Sequence, residues 1–349
     1  MEFDIKKRGN KENLKLFAKE IKQISEKIGM KSSARGWCYL MEVEGFITKD
    51  EFDRVEILIN SCRKKGILPI DFISEEGKRD FKGVEKPNED SPIESMRKWI
   101  TYAMRSEDMY TPNWWKGEKY YIQMIVEKID LKTLFSDVCE EYHIPIATSS
   151  GWSSMLQRAI YARRFKEAEE KGLKPVLLYC GDHDPDGLRI SEFLKKNVED
   201  LQDISWDDGE TGFNPCNLEI IRFGLNFDYI EQHNFTWIDN LITGSKKKHL
   251  QGIGLDNPKH KNHKMSYVQN YLKEIGVRKC EANVLMTVPK LASKLVKDAI
   301  IDFLGNDALD RFQEKEDQVQ KIVDDFREKT GLTESLQTAL DLLDEEQHS

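Results

Sequence analysis

Between Tyr120 and Phe223 the sequence alternates strand-like runs with longer stretches of helical spacing. Strands are predicted over Tyr120 to Val126, Ile144 to Ala147, Val176 to Cys180 and Leu218 to Phe223. Helices are predicted between them, over Asp130 to Tyr142, Ser153 to Lys171 and Gly187 to Asn197. Strand–helix alternation of this kind implies a parallel sheet with helices on both faces, because each crossover must return the chain to the same edge. The chain is therefore expected to be an α/β protein over residues 120–305.

What precedes this unit is helical. Leu14, Phe17, Ile21, Ile24 and Ile28 recur at helical spacing and Gly29 ends their run. Ser33 to Glu44 reads as a second helix. Thr48 to Glu51 is a capping box that opens a third, with Phe52, Val55, Leu58, Ile59 and Cys62 on one face. A strand-like run, Ile67 to Ile73, follows. Three helices and a short β element over residues 1–73 outline a winged helix, an outline that plain helical bundles share. Residues 74–119 read as a polar linker with one helix over 93–109, and residues 306–349 as an acidic helical tail.

At 349 residues, two or three units are expected. The chain has no apolar run long enough to span a membrane and no signal-peptide pattern at Met1 to Asn10, which predicts a cytoplasmic protein. Six scattered cysteines without a CxxC predict buried, reduced thiols. Net charge is −9, against a purely electrostatic nucleic-acid binder, yet the first 70 residues are net basic and the last 49 strongly acidic.

Ionisable residues stand where two of the predicted strands end. Glu127 follows the first. Gly181-Asp182-His183-Asp184-Pro185-Asp186-Gly187 joins the third to its helix. The carboxyl ends of parallel strands open onto the ligand crevice, so Glu127 and the aspartates can meet if the strands are neighbours. Asp182, Asp184 and Asp186 alternate and could aim several carboxylates at one centre. Oxygen-only donors favour Mg²⁺, with Mn²⁺ as the alternative. Glu127, Asp182, Asp184 and Asp186 are therefore the expected metal ligands. The bland reading is a solvated acidic turn at a helix N-terminus.

The strand-Glu followed by a strand with Asp-x-Asp-Pro-x-Gly resembles the Toprim domain of the topoisomerase VI A subunit and the Spo11 proteins. Ser150 to Ser154 with Arg158 partly matches a further segment of that domain. Lys279-Cys280-Glu281-Ala282-Asn283-Val284-Leu285 looks like its Lys-x-Glu-x-x-x-Leu strand. The resemblance covers most of 120–305. It implies Mg²⁺-dependent DNA cleavage, double-stranded DNA as substrate and a homodimer associated with the chromosome or nucleoid. It also raises a GHKL-type ATPase B subunit as a partner, although the chain resembles the short stand-alone A-like proteins more closely.

Members of that family carry an upstream winged helix whose Arg-x-x-x-Tyr motif supplies the nucleophile. Here Arg35 and Tyr39 stand four apart in Ser33 to Glu44 and share one helix face. A phenol with its ordinary pKa of about 10 is a poor nucleophile, and a guanidinium favours the phenolate while holding the phosphate. The resemblance makes Tyr39 and Arg35 the catalytic pair, with Arg35, Arg158, Lys246, Lys247 and Lys248 expected to contact DNA. Two alternatives stand beside it: a Toprim nuclease using a metal-activated water, with Tyr39 structural, and a DNA-binding adaptor that no longer cuts. In a cross-protomer arrangement, Tyr39 is expected far from Asp182 within one chain.

Overall fold

The computed structural model describes residues 3–29, 31–69, 72–73, 90–105, 110–149, 155–204, 206, 209–242 and 252–347. They fall into two compact units. One is drawn from Met1–Glu76 and Glu118–Leu304, the other from Gly77–Gly117 and Gly305–Ser349.

In the first unit, α1 (Lys11–Ile28), α2 (Ala34–Val43) and, after a 3-10 turn at Lys49–Glu51, α3 (Phe52–Lys64) pack on one another. Their starts are capped: Asn10 accepts from Glu12 and Asn13, Ser33 from Gly36, and Thr48 and Glu51 complete the expected capping box. Leu14, Phe17, Ile21, Trp37, Met41, Val55, Leu58 and Ile59 fill the core between them. The expected β run at Ile67 to Ile73 is reduced, among the described residues, to one parallel bridge between Ser32 and Ile73.

Four strands form the sheet: β1 (Tyr120–Val126), β2 (Ile146–Thr148), β3 (Lys174–Cys180) and β4 (Glu219–Gly224), in the order β2-β1-β3-β4, all parallel. β1 and β3 are buried at every position but the first, as expected of central strands covered on both faces. The second unit contributes α4 (Pro92–Met104), described below. In the first, α5 (Ile129–Glu141) and α10 (Pro289–Leu304) pack together against the sheet. A separate pair, α6 (Met155–Glu170) and α7 (Pro185–Glu199), packs against β3 and β4. The chain moves outward from β1 to β2 and, in the other direction, from β3 to β4. Right-handed crossovers therefore put α5 and α7 on opposite faces. Short helices α8 (Phe227–Gln232) and α9 (Ser266–Glu274) follow β4, the latter closing a small cluster of Leu241, Leu255, Val268 and Tyr271.

Lys279 to Leu285 is not a strand. Lys279 and Cys280 form isolated antiparallel bridges to Ile238 and His183, and a 3-10 helix takes over at Ala282–Thr287. The N-terminal helices and the sheet are tied together by a buried carboxylate. Asp130, in the first turn of α5, accepts from the Ser32 hydroxyl at 3.0 Å, the Ser33 amide at 2.7 Å and the Ser33 hydroxyl at 3.0 Å. Gly36 makes this approach possible: a Cβ there would lie 2.0 Å from Ser32 Oγ and 2.7 Å from Asp130 Oδ1.

In the second unit, α4 packs against α12 (Leu332–Gln347), which also contacts α11 (Ala308–Thr330). The segment expected to be a linker and the acidic tail thus belong to one body. No described helix is long and apolar enough to cross a membrane. All six cysteines are free, and all but Cys216 are buried.

Candidate functional site

Strand register decides which side chains meet. The strand order reverses between β1 and β3, and that switch point is where a doubly wound sheet opens its crevice. Val126 pairs with Cys180 across these strands, so Glu127 and the Gly181-Asp182 turn leave the sheet side by side. The Glu127 amide donates to the Cys180 carbonyl at 2.9 Å, and Glu127 Oε2 accepts the Asp182 amide at 2.8 Å. A Cβ at 181 would lie 2.4 Å from the Tyr179 hydroxyl and 2.8 Å from Glu127 Oε2, so glycine lets both side chains come this close to the turn.

Lys128 supplies the cation between the two carboxylates. Its Nζ lies 3.1 Å from Glu127 Oε1 and 2.7 Å from Asp182 Oδ2. Asp182 Oδ1 accepts the Ala282 amide at 2.8 Å. Burial, followed by the charge of Glu127, pushes Asp182 up to about 6 despite Lys128. Burial works against the Lys128 charge, but Asp182 and Glu127 outweigh it and the ammonium is held more firmly than usual.

The turn itself is pinned from β4. Arg222 donates to the Gly181 and Asp182 carbonyls at 2.8 and 2.7 Å and to the Gly187 carbonyl at 3.1 Å, its guanidinium lying over the Tyr179 ring. Charge inside the run Ile220-Ile221-Arg222-Phe223 was the available sequence signal for this role. The other aspartates are engaged elsewhere. Asp184 is the N-cap of α7, accepting the Gly187 amide at 2.6 Å, and burial raises its pKa. Asp186 accepts the Tyr267 hydroxyl at 2.9 Å. His183 is buried and neutral, held down to about 4 chiefly by burial, with Nδ1 2.8 Å from the Leu225 carbonyl.

Tyr39 reaches the same edge of the sheet within one chain, contrary to the cross-protomer expectation. Its hydroxyl donates to Glu281 Oε2. Glu281 Oε1 is paired with Lys49 at 2.6 Å and Lys279 at 3.3 Å. The side chain of Glu281 thus holds Tyr39, and the backbone of the next residue, Ala282, holds Asp182. Burial alone would raise Glu281, but Lys49, the Tyr39 hydroxyl and Lys279 hold it down at about 2. Burial and the Glu281 charge push the Tyr39 phenol well above its ordinary range, with Lys128 and Arg35 opposing. Tyr39 and Glu281 line a cavity of about 360 Å³ together with Glu42, Thr236 and Asn283.

Arg35 and Tyr39 flank one ring: the guanidinium lies 5.5 Å from the Phe52 centroid and the phenol packs edge-on to it at 4.9 Å. Arg35 is half exposed and pairs with Glu56 at 3.3 Å and Asp53 at 3.9 Å. Arg158 donates to the Asn197 carbonyl at 3.2 Å, linking α6 to the end of α7. Lys246, Lys247 and Lys248 lie outside the described residues, as do Ser150 to Ser154. The residues that sequence reading left without a role are Lys128, Lys49 and Arg222.

Among the described residues no three His, Cys, Asp or Glu side chains are arranged to hold a metal ion. The Glu127–Asp182 pair remains. Its donors are hard carboxylate oxygens, two of them already share one cation in Lys128, and the Asp182 pKa is raised by burial and then by the Glu127 charge. That set fits an ion such as Mg²⁺, which takes one or two carboxylates and keeps water, with the Lys128 ammonium as the group to be displaced. Comparison of the chain with family models, curated proteins and solved structures finds no match.

Proposed function

We propose that the chain cleaves DNA phosphodiesters with Mg²⁺ as a Toprim-type protein of the topoisomerase VI A and Spo11 kind, its N-terminal helices acting as the winged helix. One observation carries this reading. A tyrosine hydroxyl and a sheet-end carboxylate are held by consecutive residues, Glu281 and Ala282, so a nucleophile and an acidic pair share one edge. Glu127 and Asp182 would hold the ion, with Mn²⁺ as a substitute. When bound, it supplies charge neutralisation at the phosphoryl oxygens and the leaving oxygen.

The chain's own residues do the rest. The Tyr39 oxygen attacks phosphorus, the new O–P bond forms as the P–O3′ bond breaks, and the leaving 3′ oxygen takes its proton from solvent water. The Tyr39 proton passes to Glu281. With Lys49 and Lys279 both in place Glu281 is a weak base, and transfer of Lys49 to a phosphate oxygen of the incoming strand raises its basicity. Arg35, one turn from Tyr39, steadies the charge that develops in the transition state.

A second reading has its own support. Burial and Glu281 keep Tyr39 protonated, which favours hydrolysis by water at the acidic pair with Tyr39 structural. Mg²⁺-dependent cutting of supercoiled plasmid, run with and without proteinase K, separates the readings. Wild type is expected to give DNA ends covalently attached to protein, and Tyr39→Phe to give none. Tyr39→Phe cutting at the wild-type rate with free ends establishes the hydrolytic reading. Wild type that binds DNA and never cuts leaves a non-cleaving adaptor.

A further inference from the structure

Helices α7 and α9 pack on each other and leave a cavity of about 490 Å³ between them, a size typical of small-molecule sites. Phe227 and Tyr271 form aromatic walls, and buried His183 lies at the inner end. Arg189 and Glu192 of α7 and Glu274 of α9 stand around the mouth. This lining is separate from that of the Tyr39 cavity.

The inner end is short of a hydrogen-bond donor. His183 Nδ1 lies 2.8 Å from the Leu225 carbonyl, which only accepts, so Nδ1 carries the ring proton and Nε2 presents a lone pair. Nε2 is buried without a partner, a state that native interiors rarely leave unmet. The Phe227 and Tyr271 rings stand 6.4 and 5.9 Å from the imidazole, so a guest that reaches Nε2 is flanked by aromatic rings that favour a flat, apolar body. Its donor must be a neutral group, because the charges of Arg222 and Arg278 already act on His183 and disfavour another cation there.

The mouth has the opposite character. Among the described residues Glu192 and Glu274 make no ion pair. Nor does Arg189, whose guanidinium lies 4.4 Å from the Tyr267 centroid and 4.8 Å from that of Phe193. One guanidinium beside two carboxylates suits a zwitterion, whose carboxylate pairs with the first and whose ammonium pairs with the others.

We propose that this cavity binds a free aromatic α-amino acid whose side chain carries an N–H or O–H. The side chain donates to His183 Nε2, the ammonium lies at Glu192 and Glu274, and the carboxylate lies at Arg189. The inference does not rest on the proposed cleavage chemistry. Isothermal titration of the full chain with L-tryptophan near neutral pH tests it, beside three analogues that each lack one group. Benzothienylalanine replaces the indole N–H by sulfur, tryptamine lacks the carboxylate and indolepropionate lacks the ammonium. L-tryptophan is expected to bind, and each analogue to bind at least about tenfold more weakly. The sulfur analogue probes the His183 contact from the ligand's side, with no substitution in the turn that carries Asp182. Arg189→Met keeps a stem over Tyr267; it is expected to weaken L-tryptophan at least about tenfold and to leave tryptamine unchanged. Glu192→Gln with Glu274→Gln is expected to weaken L-tryptophan and tryptamine and to leave indolepropionate unchanged. Urea-unfolding curves that coincide with wild type show that these variants fold. No binding of L-tryptophan at millimolar concentration overturns the proposal. So does a sulfur analogue that binds as tightly as L-tryptophan, and so do folded variants that bind L-tryptophan as wild type does.

Discussion

Asp182 and Glu281 stand at one sheet edge, held on either side of Ala282, and are in opposite electrostatic states. Asp182 faces Glu127 with one lysine between them and is pushed up to about 6. Glu281 faces two lysines and a phenol and is held down at about 2. Burial penalises both charges, so the difference lies in the count of partners. One carboxylate is short of cations and the other is saturated. The first is the natural seat for an added cation, and the second, already saturated, needs none and is left to hold Tyr39.

The largest expected effect separates the two in cleavage. Asp182→Asn and Glu127→Gln should each lower the initial rate of Mg²⁺-dependent plasmid cutting by about 1,000-fold, or roughly 4 kcal/mol. Glu281→Gln, which keeps an oxygen for Tyr39 but loses the proton acceptor, should cost less, about 100-fold. Equal losses would dissolve the distinction. Next comes stability at Glu281. Its folded pKa lies below the ordinary 4.5, so its contribution is present above that value and is lost as pH falls toward about 2. In urea unfolding at pH 7, Glu281→Gln should cost about 3 kcal/mol, shrinking by pH 3. A penalty independent of pH would mean that packing, not charge, is what the substitution removes.

The smallest effect has the opposite sign. Asp182 has a folded pKa above its ordinary 3.8, so it favours the folded state at low pH and costs stability as pH rises through about 6. In EDTA at pH 8, Asp182→Asn should be more stable than wild type by about 1–2 kcal/mol, because Lys128 keeps only one partner and offsets part of the gain. Near pH 4 the two should melt together. An Asp182→Asn protein less stable than wild type at pH 8 would show that Lys128 already satisfies the pair.

Much of this was legible in the residues. The alternation from Tyr120 onward implied the parallel sheet, and the strand ends placed Glu127 and Asp182 where they could meet, because neighbouring parallel strands deliver their last residues to one crevice. The 3-10 helix at Ala282–Thr287 was not legible. Asn283-Val284-Leu285 has strand character, but Asp182, 100 residues earlier, accepts the Ala282 amide and turns the segment. The partners of Tyr39 were hidden for the same reason: Lys49 looks like ordinary surface charge and Glu281 like part of a strand until the fold stacks them. Asp184 and Asp186 show the reverse, since the spacing that aims carboxylates at one centre also suits a helix cap and a tyrosine hydroxyl. Nothing local in 92–104 announced a partnership with 332–347.

The link between Tyr39 and Glu281 spans 242 positions, and that distance has a consequence during synthesis. Tyr39 leaves the ribosome early, while the residues that seat it and hold Asp182 emerge only after the whole sheet has been translated. A nascent chain carries the tyrosine for most of its elongation without the assembled edge that would use it. Fragments that stop before residue 281, from premature termination or nicking, would bring Tyr39 without that edge. On the proposed chemistry, assembly order would keep Tyr39 apart from its partners until the chain is translated past residue 281.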